Sequence, residues 1–156
     1  LLILLIDKGV VMMNIIPDRN WNIPDLDLRE VKVKNLYEIV DKAHKLDLPI
    51  IVGTEMNSFN QRLIDDFSAP ELQPLREVFM EGAYFIYGHT LMQRAGRLGY
   101  QSSWAQTHFI DRRSKNDFYQ RVGRLTSPEM PQESISKILQ NHPTPQKVLK
   151  HLESLE

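Results

Sequence analysis

The chain has no cysteine among its 156 residues, which excludes disulfides, thiolate metal sites and thiol nucleophiles. That absence fits a reducing compartment, and a cytoplasmic setting is expected. The opening apolar run, Leu1-Leu2-Ile3-Leu4-Leu5-Ile6, is far short of the roughly 20 residues that span a bilayer, and no basic residue precedes it as in a signal peptide. An excess of charge of either sign is missing too. A formal net charge of −1 gives no case for nucleic acid or an anionic membrane as partner. Neither Gly53-Thr54-Glu55 nor Gly96-Arg97-Leu98-Gly99 has the glycine spacing of a dinucleotide loop or a P-loop. A Gly-x-Ser-x-Gly nucleophile elbow is also lacking.

What is present is an ordinary globular balance, 42% hydrophobic and 25% charged, sufficient for one core. The opening run reads as the last turns of a helix closed by Lys8 and a Gly9 C-cap. With no initiator Met before it, the chain is expected to lack an N-terminal segment. Val10–Ile16 is apolar enough for a strand and ends in the polar loop Pro17-Asp18-Arg19-Asn20-Trp21-Asn22. Val31–Leu46 is a helix by period, with Val33, Leu36, Tyr37, Val40 and Ala43 on one face. Pro49 restricts the residue before it and closes that helix.

Pro49-Ile50-Ile51-Val52-Gly53-Thr54-Glu55-Met56-Asn57 is the organising stretch: an apolar strand, buried on both faces, that stops at a carboxylate and an amide. Strand, helix and strand over 10–55 form a parallel, right-handed crossover unit. A short helix over 59–67 and another over 70–80 follow, with Gly82 as breaker. Ala83–Tyr87 is expected to be a third strand, ending at His89 and Thr90. Beyond the helix 90–98 the alternation stops, and 102–110, 114–125, 131–140 and 145–155 all read as helical. Pro131 and Pro145 fall at first-turn positions, and Thr144 is an N-cap candidate. The expected fold is therefore α/β: a partial β/α barrel of about three parallel strands over 1–126, then a helical C-terminal tail over 127–156. A whole barrel needs about 250 residues. The open sheet edge should be covered by the missing N-terminal segment or by self-association.

In parallel α/β folds, side chains converge on ligands at the carboxyl ends of strands. Asp18, Glu55 and His89 occupy three such ends. Their carboxylate oxygens and imidazole nitrogen suit Mn, Zn or Fe, with Asn20 or Asn57 orienting a bound water. The plain alternative for Glu55 is a loop cap or a pair with a nearby arginine. Arg94, Arg97, Arg112, Arg113, Lys115, Arg121 and Arg124 form a basic stretch. Arg94 or Arg97 could clamp a phosphate, while the alternative is a solvated helix face. No aromatic platform is interleaved with them, which argues against nucleic acid.

Residues 10–57 resemble part of the PHP (polymerase and histidinol phosphatase) superfamily of metal-dependent phosphoesterases. In those proteins a strand of a distorted β/α barrel ends in an Asp-His-Asn-like element. A helix follows, and a later strand like Ile-Pro-Gly-Ile-Glu-Ile carries a metal-bridging Glu. Here Asp18-Arg19-Asn20 stands at the first place and Ile51-Val52-Gly53-Thr54-Glu55-Met56 at the second, and Tyr87-Gly88-His89 offers a later histidine. The resemblance implies a metal-dependent hydrolase of phosphoester-like small molecules, with Asp18, Glu55 and His89 as ligands and Glu55 and His89 in the catalytic step. Arg94, Arg97, Asn57 and Asn20 would contact substrate. Arg19 replaces the family's histidine, so the alternatives are a non-catalytic barrel domain that binds a ligand or partner, or a metal-free lyase or isomerase with Glu55 as base.

Overall fold

A computed structural model describes residues 1–57, 59, 63–130, 132–141 and 143–155. The chain divides into two compact units, Leu1–Gly82 and Ala83–Glu156. Among the described residues no helix is long and apolar enough to cross a membrane.

In the first unit, α1 (Leu2–Asp7) ends as its sequence dictates. Gly9 takes φ +96°, and Val10 N–H returns to the Leu5 carbonyl at 3.0 Å, a turn that a Cβ would strain. β1 (Met13–Ile15) and β2 (Ile50–Val52) pair in parallel, Met13 with Ile50, Asn14 with Ile51 and Ile15 with Val52. Between them lie the single turn α2 (Asp18–Trp21) and the long helix α3 (Leu26–Lys45). α3 starts earlier than its apolar stripe because Asp25 caps it, accepting from Leu28 N–H at 2.9 Å, the bond an N-cap carboxylate is suited to make. Leu36, Val40 and Ala43 on its inner face are buried with Trp21, Leu48, Ile50, Leu72 and Phe79. The strand–helix–strand reading of 10–55 therefore stands in outline, with shorter strands than expected.

The barrel does not. Ala83–Tyr87 is not a strand; it lies inside α4 (Arg76–Gly96), a continuous helix that absorbs the segments read as two helices and a strand. The sheet has only two strands among the described residues, and the chain is mostly helical. Gly82 was expected to break the helix, yet it serves close packing: a Cβ there would strike the Ile50 carbonyl oxygen. Phe85, Gly88 and Met92 are buried at helical spacing, a period that a short apolar run does not separate from a strand's. Of the helix expected over 59–67, residues 60–62 lie outside the described residues, and 63–67 are not helical.

Every described element of the second unit is a helix. α5 (Ser103–His108) is capped by Ser102 and α6 (Arg112–Arg124) by Asp111. The Asp111 carboxyl is held below its ordinary pKa by hydrogen bonds from the Ser114 backbone and hydroxyl. α7 (Gln132–Ile138) and α8 (Pro145–Glu153) complete it. Pro131, read as a first-turn proline, lies outside the described residues. Pro145 does open α8, and Thr144 precedes it at the N-cap position without a side-chain bond. α4 and α6 approach where neither carries a side chain. A Cβ on Gly88 would strike the Tyr119 carbonyl, and one on Gly123 the Tyr84 carbonyl. Phe85, Tyr100, Trp104, Phe118 and Tyr119 fill the core with edge-on and tilted ring contacts, an arrangement the aromatic quadrupole favours. Ile135, Leu139, Val148 and Leu152 are buried as well.

Candidate functional site

The ends of β1 and β2 meet in a cleft within the first unit. The last ladder bond runs from Gly53 N–H to the Ile15 carbonyl at 2.8 Å. Past it the chain leaves the sheet and presents Thr54 and Glu55. On the other strand, Ile16-Pro17 turns directly into α2, which sets Asp18 and Arg19 beside them. Ile16, Asp18, Arg19, Thr54, Glu55 and Asp65 line a cavity of about 10 Å³, the room of a single water molecule.

Arg19 joins the two strand ends. Its Nε donates to Glu55 Oε2 at 2.8 Å and its Nη2 to Asn57 Oδ1 at 3.4 Å. Asn57 Nδ2 donates to Glu55 Oε1 at 2.6 Å, so both Glu55 oxygens are engaged. The pair is half in solvent, with side-chain exposures of 50% for Arg19 and 36% for Glu55. Asp18 Oδ1 accepts from Asn22 Nδ2 at 2.9 Å. Asp65, buried at 6% exposure, accepts from Trp21 Nε1 at 3.1 Å. That bond ties α2 to the segment after β2.

Asn20 turns away, its Nδ2 donating to the Ile16 carbonyl at 3.1 Å. It lines an open groove of about 500 Å³ with Asn14, Ile15, Asn35, Leu36 and Ile39. This volume is in the range of small-molecule sites. Arg19 borders both the groove and the cleft.

The remaining residues singled out in the sequence belong to the second unit. His89 lies within α4, and its Nδ1 accepts the Tyr100 backbone N–H at 2.9 Å. Burial lowers its pKa below the ordinary 6.5, which keeps the ring neutral and able to accept. Arg94 is exposed in the last turn of α4, and Arg97 follows it at φ +57°. The rest of the basic stretch is only partly a solvated face. Arg121 pairs with Glu153 at 2.5 Å, Arg124 lies over the Tyr84 ring, and Lys115 lies 4.1 Å above Tyr100. Burial, then the neighbouring Arg112 charge, lowers the Lys115 pKa. Burial raises the Tyr100 phenol against an opposing pull from Arg112, and it raises Tyr119 further.

The structure thus brings together Asp18, Glu55 and Asn57 and adds Arg19 and Asp65, which sequence reasoning had not placed in the site. The signal for Arg19 was its position next to Asp18, and an arginine partner for Glu55 was one of the two readings of that carboxylate. The donors are hard oxygens of the kind that hold Mn, Zn or Fe. A cation already sits on Glu55, the Arg19 guanidinium. In this arrangement no three ligating side chains converge on one point among the described residues. Compared with family models, curated proteins and solved structures, the chain finds no match.

Proposed function

We propose that the chain works as a metal-dependent hydrolase of phosphoester-like small molecules at the strand-end cleft. One observation carries the reading: two carboxylates and a guanidinium, from the carboxyl ends of two parallel strands, line a single cavity. In open α/β sheets that is where ligands bind. Asp18 and Glu55 are the residues that would hold the metal. Once bound, the metal would lower the pKa of a water and polarise a phosphoryl oxygen. Arg19 supplies a planar donor set for phosphate oxygens, and Asn57 fixes the Glu55 carboxylate. The groove beside Arg19 has room for the rest of a small substrate. A cytoplasmic setting goes with this reading, which the lack of cysteine fits.

The test is elemental analysis after dialysis against Mn, Zn and Fe, run beside Glu55→Gln, with a phosphoester panel for turnover. Stoichiometric metal that falls in the variant, together with turnover, is the expected result. Equal metal in both proteins would remove Glu55 as a ligand.

A second reading is favoured by the Arg19–Glu55 pair itself. With its carboxylate neutralised by arginine, the domain would bind a ligand without transforming it. Saturable ligand binding with no turnover at any metal loading would select this alternative.

A further inference from the structure

We infer that the groove along the free edge of β1 takes an extended, acidic peptide as an added strand, with the Asn14 backbone as its main-chain partner and Arg19 on its carboxylate. The inference goes beyond the hydrolase reading and does not rest on it. It uses the groove to one side of Arg19, leaves the Arg19–Glu55 pair intact and needs no metal ion.

The ladder bonds define the edge. Met13 N–H bonds to the Pro49 carbonyl and Gly53 N–H to the Ile15 carbonyl, so Met13 and Ile15 spend their backbone groups on β2. Asn14, between them, points its N–H and carbonyl the other way, on a sheet with no third strand among the described residues. Its side chain does not shield them, because it folds over Gly53, where an added Cβ would meet both Nδ2 and Oδ1. At Ile16 the carbonyl is already taken, by Asn20 Nδ2 at 3.1 Å and Arg19 N–H at 3.3 Å. Pairing on this edge is thus centred on Asn14. Unpaired backbone groups at a sheet edge are a template for another strand, and an extended peptide that adds one gains its affinity from main-chain hydrogen bonds.

The lining selects the kind of peptide. Beside Asn14 the groove has Leu36 and Ile39 of α3, the amides of Asn20 and Asn35, and Arg19. An added strand sends alternate side chains to opposite faces, so one apolar side chain can lie on Leu36 and Ile39. Arg19 is the one charged side chain of this lining among the described residues. Its bonds to Glu55 and Asn57 run from Nε and Nη2, and neither uses the N–H donors of Nη1. A carboxylate on the peptide therefore meets a cation with donors to offer and no like charge along the groove. A second copy of the chain would bring a β1 edge whose groove carries the same cation and no carboxylate, a poorer match of charge.

The probe is a pair of capped pentapeptides that alternate Val and Thr and carry one Glu, at the first position or the last, titrated into the chain by calorimetry. Asn14→Pro removes the outward N–H without touching a ladder bond, a place where an edge strand tolerates proline. One of the two peptides should bind the native chain, and bind Asn14→Pro about tenfold weaker or more. Replacing its Glu by Gln should weaken it about threefold, and that difference should vanish in Arg19→Gln. If Asn14→Pro does not fold, hydrogen exchange in the native chain decides, where saturating peptide should slow the Asn14 N–H about tenfold or more. No slowing, equal binding by a folded Asn14→Pro, or no binding of either peptide at millimolar concentration would overturn the inference. Dimerisation without peptide that Asn14→Pro removes would assign the edge to a second copy and overturn it as well. No metal is added in these titrations, so their failure leaves the hydrolase reading standing, and that reading fails separately on metal content and turnover.

Discussion

Tyr100 donates its backbone N–H to Nδ1 of His89 across 2.9 Å, tying the turn after α4 back onto that helix. The bond exists only while the imidazole is neutral. Gly99 adds to the fit, since a Cβ there would press on His89 Cε1.

This relationship makes the second unit sensitive to pH. Burial lowers the folded pKa of His89 below 6.5, so at lower pH the unfolded chain binds the extra proton more readily. The stability contribution is complete above about pH 6.5 and is lost as pH falls through the folded value. The melting temperature should drop between pH 7.5 and pH 5, and His89→Gln should shrink that drop. Only position 89 differs between the two proteins, so the difference between their pH profiles reads that residue. An identical pH dependence in the variant would exclude His89 as the cause.

The glycine contact between α4 and α6 leaves no room for a methyl group. Gly88→Ala and Gly123→Ala each place a Cβ against a backbone carbonyl, which cannot move aside as a side chain can. Each should cost about 1–3 kcal/mol, read from the denaturant midpoint. Ala83→Gly, at an exposed position on the same helix, should cost no more than about 1 kcal/mol.

Arg97 holds a backbone conformation suited to glycine, φ +57°. The left-handed region strains an L-residue by about 1–2 kcal/mol, part of which glycine returns as unfolded-state entropy. Arg97→Gly should therefore stabilise the chain by about 0.5 kcal/mol. Asp47, at φ +48° beyond α3, should respond the same way. If Arg97 contacted substrate as its sequence position implied, the stabilised variant would lose affinity for phosphonate; under the Arg19 assignment it keeps it.

Trp21→Phe removes the indole donor from a buried carboxylate, Asp65. The expected loss is about 1–3 kcal/mol, measured by urea unfolding. Glu55→Gln breaks only a half-exposed pair and should stay within about 1 kcal/mol of native. Any loss of metal in Glu55→Gln is then not a loss of fold.

The parts of the fold legible in the sequence are those with local causes. The Gly9 stop, the α3 stripe ending before Pro49, and the strand run Ile50–Val52 each follow from residues in the window. Ala83–Tyr87 was misread because five apolar residues fit a buried helix as well as a strand. The deciding fact is tertiary: Gly82 touches the Ile50 carbonyl and Gly88 the Tyr119 carbonyl, so these glycines are contact points and not breaks. The strand-end carboxylates were visible as residue types at loop starts. Their partner Arg19, 36 positions from Glu55, became visible only once the parallel register brought the two loops together.

The approach of Gly82 to Ile50 also decides where this sheet can grow. In a parallel ladder alternate residues face opposite neighbours, and with Met13 N–H bonded to the Pro49 carbonyl, Ile50 faces away from β1. Helix α4 lies against that carbonyl, so the outer edge of β2 is covered by helix backbone at Ile50. Asn14, opposite Ile51 in the register, turns its backbone groups outward from β1 by the same alternation. Extension of the sheet on the β1 side would run next to the groove that Arg19 and Asn20 border, while at Ile50 the helix backbone takes the place an added strand would need.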